Sequence, residues 1–192
     1  MKNTVQVKSG VMLGALVALA SLALATTAMA AVFIKGTDHA DVLTGTDRND
    51  LIVGLKGNDT INGLAGNDRI HGNQDNDTID AGPGNDRVWG GYGNDTLAGG
   101  DGNDLLRGRP GDDALDGGTG NDNMWPGRGA DTQNGGEGDD VLHSLARDRQ
   151  VDHIDCGPGN DVLWLNAKET TDVYVNCETV KTVTVTADGD DS

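Results

Sequence analysis

Residues 54–107 read GLKGNDTIN-GLAGNDRIH-GNQDNDTID-AGPGNDRVW-GGYGNDTLA-GGDGNDLLR, with Asp59, Asp68, Asp77, Asp86, Asp95 and Asp104 each sixth in its nine-residue unit. The phase extends both ways. GTDHADVLT and GTDRNDLIV precede this stretch from Gly36, and GRPGDDALD, GGTGNDNMW, PGRGADTQN and GGEGDDVLH follow it to His143. All twelve units keep the sixth-place aspartate, and eleven carry an aliphatic residue or Met at the eighth place, Gln133 being the exception. Ser144-Leu145-Ala146 is a three-residue insertion, after which residues 147–164 hold a degenerate unit with Asp152 and Ile154 and a restored one, CGPGNDVLW, with Asp161 and Leu163. Composition bias does not hold a phase this long, so the chain is a repeat array.

Each unit has a physical reading. Glycine at the first, second and fourth places permits sharp turning at positive φ, and Asn at the fifth tolerates similar geometry. The last three residues, Thr60-Ile61-Asn62 for example, suit a short strand whose central side chain points to one side. A turn of about six residues followed by a strand of about three makes half a coil. Two units per coil stack the strands into two parallel sheets, and the eighth-place residues fill the space between. Aspartates two units apart then align on one edge, about 4.8 Å from one coil to the next. Bare carboxylates at that spacing repel by roughly 3 kcal/mol at an effective dielectric near 20. Such a column needs cations, and carboxylate plus carbonyl oxygens in flexible turns suit calcium better than magnesium, which demands stricter octahedral geometry.

The units resemble the RTX (repeats-in-toxin) nonapeptide G-G-x-G-x-D-x-U-x, closely over residues 36–143 and loosely over 147–164. The resemblance implies an all-β, right-handed parallel β-roll, with calcium held between turns by sixth-place aspartates and loop carbonyls. The aspartates concerned are Asp41, Asp50, Asp59, Asp68, Asp77, Asp86, Asp95, Asp104, Asp113, Asp122, Asp131, Asp140 and Asp161. On this reading roughly ten ions bind cooperatively at the 10⁻⁴ to 10⁻³ M calcium typical of extracellular modules. His39 and Arg48 stand where glycine is expected in the first two units, which therefore cap the roll. Pro126, Ala130 and Gln133 make the eleventh unit a weak point.

The ends of the chain read differently. Lys2 and Lys8 precede an apolar run from Val11 to Ala25, and Ala28-Met29-Ala30 closes it with small residues. This is the layout of a secretory signal peptide over residues 1–30; about fifteen apolar residues are short for a membrane span. Removing the signal takes the formal charge from −17 to −19 by loss of two lysines. So acidic a chain, poor in Phe and Tyr, repels nucleic acid and looks disordered unless something outside the polypeptide orders it. In an exported, extracellular or periplasmic protein the pair Cys156 and Cys177 is most simply a disulfide closing a loop of roughly twenty residues, worth about 3 kcal/mol. No CxxC or flanking histidine pattern supports zinc. Val173–Val175 and the run 180–186 read as strands of a disulfide-linked C-terminal cap over residues 165–192, with a frayed end from Asp188.

No HExxH helix or GxSxG elbow occurs and no apolar helix suits a pore, so a non-enzymatic module is expected. The outward seventh and ninth places sort by sheet. Odd units give Val42, Thr60, Thr78, Thr96, Ala114 and Thr132 at the seventh, with Asp80 and Asp116 among the ninth. Even units give Arg69 and Arg87 at the seventh and His71, Trp89, Arg107, Trp125 and His143 at the ninth; Trp164 joins them if the insertion preserves phase. The arginines then either offset local acidity or form a partner face (Trp89, Arg107, Trp125, Arg87, Trp164) for a glycan, an anionic surface polymer or a second copy, as in a calcium-dependent adhesin. The odd-sheet threonines suggest an ice-binding ladder, but Ala114 interrupts it, Asp80 and Asp116 suit ice poorly, and β-propensity accounts for Thr on a strand.

Overall fold

The structure is a computed structural model that describes residues 4–6, 31–146, 148–168 and 171–185. Among these residues every regular element is a strand. One sheet stacks β1 (Thr4–Gln6), β2 (Phe33–Lys35), β4 (Leu51–Lys56), β6 (Arg69–Gln74), β8 (Arg87–Tyr92), β10 (Leu105–Pro110), β12 (Asn123–Arg128), β14 (Val141–Ser144), β16 (Val162–Asn166) and β18 (Thr179–Val183). The other stacks β3 (Val42–Thr44), β5 (Thr60–Asn62), β7 (Thr78–Asp80), β9 (Thr96–Asp101), β11 (Ala114–Thr119), β13 (Thr132–Glu137), β15 (His153–Asp155) and β17 (Val173–Val175). Consecutive strands alternate between sheets and all ladder pairs are parallel, so two units make one coil of a parallel β-solenoid of about eight turns.

The eighth place sets the core. Leu43, Ile52, Ile61, Ile70, Ile79, Val88, Leu97, Leu106, Leu115, Met124, Leu142, Ile154 and Leu163 are all buried between the sheets, and Ile34 extends the column one coil earlier. Each buried aliphatic side chain contributes about 1.5–3 kcal/mol, and the flanking seventh and ninth places face outward, as the burial pattern exposed–buried–exposed of Thr60–Asn62 shows. Gln133 is 1 % exposed within this apolar column; its amide donates to the His143 carbonyl at 3.1 Å and its Oε1 has no partner.

The strands differ in length from the expected three residues. In the repeats, β3, β5, β7 and β15 stop at the ninth place; every strand from β8 to β13 runs six residues, through the glycine-rich start of the next unit. Those glycines stay in the ladder from coil to coil, Gly100 pairing with Gly118 and Gly118 with Gly136. The true turn is therefore the short stretch around the fourth to sixth places.

The insertion at 144–146 is absorbed without loss of phase, since His143 still pairs with Trp164 and Gln133 with Ile154. Beyond it, β17 adds to β15 and β18 to β16, so the expected C-terminal cap is a further coil that closes both sheets. The Cys156–Cys177 disulfide joins this coil to the one before. At the other end β1 lies beside β2, a pairing the sequence reading does not contain. The rest of the expected signal segment, like the tail from residue 186, lies outside the described residues.

Candidate metal-binding columns

The sixth-place aspartates form two columns, one at the turn leaving each sheet. Asp50, Asp68, Asp86, Asp104, Asp122, Asp140 and Asp161 make one; Asp41, Asp59, Asp77, Asp95, Asp113, Asp131 and Asp152 make the other. All but Asp41 are buried. Within a column one carboxylate oxygen is used structurally: Oδ1 accepts the backbone N–H of the aspartate one coil earlier, as from Asp50 to Asp68 at 2.7 Å and from Asp86 to Asp104 at 2.7 Å. The same bond crosses the insertion, from Asp131 to Asp152 and from Asp140 to Asp161.

The second oxygen has no such partner. Oδ2 of Asp59, Asp68, Asp77, Asp86, Asp95, Asp104, Asp113, Asp122, Asp131, Asp140 and Asp161 is buried with no hydrogen bond. At Asp59, Asp68, Asp77, Asp95, Asp104, Asp113, Asp122 and Asp140 this atom faces a first-place glycine, whereas Ala81, Pro126 and Cys156 hold that place before Asp86, Asp131 and Asp161. A Cβ on Gly54 would run into Asp59 Oδ2 and the Gly72 carbonyl together, and one on Gly117 into Asp122 Oδ2 and the Gly135 carbonyl. The missing Cβ leaves a carboxylate oxygen and a peptide carbonyl of the next coil free to converge. Among the described residues no three His, Cys, Asp or Glu side chains converge on one point, so the donor set on offer is carboxylate plus carbonyl oxygen. A hard divalent cation of flexible coordination fits that set, and calcium fits it best.

Electrostatics point the same way. Burial pushes the column carboxyls up, to about 6 at Asp59, Asp68, Asp86, Asp95, Asp122, Asp152 and Asp161. It raises them to about 7 at Asp77, Asp104 and Asp131 and about 8 at Asp113, while Asp140 moves in the same direction. The N–H bond to Oδ1 opposes the shift, and neighbouring aspartates of the column add to it at most of these sites. Leaving one such group ionised at pH 8 costs about 3 kcal/mol for a rise of about two pKa units. A handful of them exceeds the 5–15 kcal/mol that holds a typical domain together, so the ionised columns need positive charge.

The column ends are closed by residues outside the repeat signal. At the first two units Thr37 and Thr46 each donate from N–H and from Oγ1 to Oδ2 of Asp41 and Asp50, at 2.6 and 2.9 Å in both cases. The sequence reading gave these units a capping role because of His39 and Arg48; the threonine of the GTD opening is what satisfies the carboxylate. At the far end Glu178 accepts from Asp161 N at 3.0 Å and Asp172 from Asp152 N at 3.2 Å. The Ser144 hydroxyl lies 2.8 Å from Asp152 Oδ2 and 2.7 Å from Asp172 Oδ2. Thr37 and Thr46 hold the second place of their units, where glycine is usual, and Ser144, Asp172 and Glu178 fall outside the nine-residue phase, so no periodic signal marks these roles. A second ladder was also missed: fifth-place Asn side chains accept the N–H of the residue one coil later, as from Asn85 to Asn67 at 3.0 Å.

Of the residues assigned to a partner face, Arg87 and Trp89 lie on β8, Arg107 on β10, Trp125 on β12 and Trp164 on β16, all in one sheet. Comparison with known proteins finds the RTX calcium-binding nonapeptide repeat, as a block of four copies, matching residues 35–70, 53–88, 71–106, 89–124, 98–133 and 125–146. No curated protein matches the chain.

Proposed function

Because those matches run unbroken over residues 35–146, the chain belongs to the RTX calcium-binding nonapeptide repeat family, and we propose from this that calcium binding in the two aspartate columns drives the chain's folding. The observation that carries the reading is the set of buried Oδ2 atoms without a partner, repeated coil after coil and at eight of them set against a glycine backbone. Asp59, Asp68, Asp77, Asp86, Asp95, Asp104, Asp113, Asp122, Asp131, Asp140 and Asp161 hold the ions. Asp41, Asp50 and Asp152, whose Oδ2 atoms already have hydroxyl partners, close the columns. Bound calcium supplies the charge that lets stacked carboxylates stay ionised. The chain supplies the rest: Oδ1 locks each aspartate to the previous coil, and the glycines let carbonyls approach.

In this reading the protein is exported through residues 1–30 and acts outside the cytoplasm as a non-enzymatic structural or surface-interaction module. Support comes from the signal layout, the disulfide, and a sequence whose units are used up by the roll. Cleavage after Ala30 removes β1 from one sheet edge and leaves β2 with its buried Ile34 as the first strand. At low calcium the acidic chain stays unfolded and competent for translocation; millimolar calcium orders it. Far-UV circular dichroism of residues 31–192 tests this. A cooperative coil-to-β transition is expected in calcium and none in magnesium, reversed by chelator. A chain that is equally ordered in chelator, or still coil at about 10 mM calcium, well above the affinity range of extracellular modules, refutes it.

A further inference from the structure

Acidity fills the turns of this roll, whereas arginines collect on one sheet. Arg69, Arg87, Arg107 and Arg109 lie on β6, β8 and β10, and none of these four forms an ion pair with a described residue, whereas Lys56 pairs with Asp38 at 3.8 Å. In a chain of net charge −17, four cations left without carboxylate partners are a surface kept for something else.

The same sheet carries a ladder of flat and cationic groups. Register places His71 beside Trp89, Trp89 beside Arg107 and Arg107 beside Trp125, and then His143 beside Trp164 and Trp164 beside Lys181. His71 stacks on Trp89 at 4.4 Å and Trp125 on His143 at 4.2 Å; Arg107 lies over Trp125 and Lys181 over Trp164, at 5.0 and 4.7 Å from the ring centres. Two clefts open along it. One, of about 250 Å³, is lined by Tyr92, Arg107, Arg109, Trp125 and His143 among others. The second, of about 160 Å³, is lined by His71 and Trp89 and shares Tyr92 and Arg109 with the first.

Two further observations mark the clefts as built for a ligand. Arg107 Nε and His143 Nδ1 are buried with no partner. Asn123 Oδ1 lies 3.2 Å from His143 Nε2 and can only accept, so a neutral ring carries its proton there and leaves Nδ1 as an acceptor. The cleft thus presents one unused donor and one unused acceptor. Arg109, moreover, has φ +87° at a second place, the left-handed conformation that Gly91, Gly100 and Gly118 take in the neighbouring units and Leu55, Leu64 and Asn73 in earlier ones. What sets Arg109 apart is its place: it lines both clefts and so joins them.

We propose that the two clefts form one continuous site for a short acidic oligosaccharide lying along the roll axis. Sugar faces stack on the aromatic steps, carboxylates pair with Arg107 and Arg109, and a hydroxyl donates to His143 Nδ1. A ligand bearing only carboxylates leaves His143 without a donor, which the hydroxyls of a sugar supply. The site rests on the calcium-ordered roll, because residues 18 apart meet there only when coils stack.

The full chain, expressed with its leader and purified as the cell exports it, is titrated in calcium with short oligogalacturonates and, separately, with neutral malto-oligosaccharides, following tryptophan fluorescence and heat. Binding of the acidic oligomer alone is expected. Arg109→Gly should weaken it by about tenfold, or about 1.4 kcal/mol, while the calcium transition stays where it was or moves to lower calcium. Thr78→Ala, on the opposite sheet, should leave it unchanged. Binding by Arg109→Gly as tight as the parent's, or equal binding of neutral and acidic oligomers, overturns the proposal. So does a fluorescence change that tracks protein concentration instead of ligand, which is the signature of self-association. A parent chain that folds in calcium but ignores the acidic oligomer overturns this site alone; one with no calcium transition overturns the proposed function as well.

Discussion

Acidification should replace calcium. The column aspartates have folded-state pKa values raised by burial to about 6, 7 and 8 at Asp95, Asp104 and Asp113, against an unfolded value near 4. A raised carboxyl means that the metal-free roll binds protons more tightly than the unfolded chain does. Its stability is therefore present at low pH and is lost as pH climbs from about 4 through the folded values. For a group at about 6, going from pH 8 to pH 5 restores about 1.4 kcal/mol, because by pH 5 the folded carboxyl is almost fully protonated while the unfolded one is still ionised. Ten or so such groups give roughly 10 kcal/mol even after allowing for coupling between neighbours, comparable to the whole stability of a domain.

The assay is far-UV circular dichroism in excess chelator, stepped from pH 8 to pH 5 and kept above the isoelectric point of about 4.2 to avoid precipitation. A coil spectrum at pH 8 should give way to β signal between pH 7 and pH 5. At pH 8, added calcium should restore the same spectrum. A calcium-free chain that is coil at both ends of the range would show that repulsion and desolvation in the columns are not what keeps it unfolded. β signal at pH 8 in chelator would refute the reasoning outright.

Other perturbations act on single features. Asp104→Asn keeps an acceptor for the Asp86 N–H but removes one charged ligand in mid-column; the calcium midpoint should rise about tenfold and the transition flatten, a lost ligand being worth at least about 1.4 kcal/mol. An unchanged midpoint would remove Asp104 from the site. Gln133→Leu should raise stability in calcium by about 1–2 kcal/mol in chemical denaturation, since it removes the unsatisfied buried Oε1 and completes the apolar column. A loss instead would mean that the bond to the His143 carbonyl outweighs that cost. Replacing Cys156 and Cys177 together by Ser should cost about 3 kcal/mol and lower the thermal midpoint by roughly 10 °C, read by melting in calcium.

Legibility in the sequence followed phase. Whatever recurs every nine residues was readable: Ile61 and Ile70 as core, Asp59 and Asp68 as columns, and Arg107 and Trp125 as neighbours on one sheet. What depends on an end or on a stacking partner was not. Thr37 and Asp172 act because a column stops beside them, and nothing local distinguishes Asp172 from any surface aspartate. The Asn ladder hid for another reason: Asn67 suits a turn whether or not it reaches another coil, so propensity explained it too early. The six-residue strands were missed because glycine reads as a breaker, although Gly100 and Gly118 stay in the ladder at positive φ.

The nonapeptide separates its tasks by place, and this lets one sequence carry two kinds of site. The sixth place points into the turn, the eighth into the core, and the seventh and ninth out of the sheet. Changing a ninth-place residue from His71 to Trp89 to Arg107 leaves Ile70, Val88 and Leu106 packed and the aspartate column intact. The outer ladder can therefore acquire chemistry at little cost to folding. It depends on folding all the same: neighbours in the ladder come from coils 18 residues apart, and in the unfolded chain Trp89, Arg107 and Trp125 have no reason to meet. On the proposed function, calcium that orders the columns also assembles the face, and a ligand stacked across several coils would in turn favour the ordered state by mass action. Residues that never touch the ion or one another are coupled through the stacking of the coils alone.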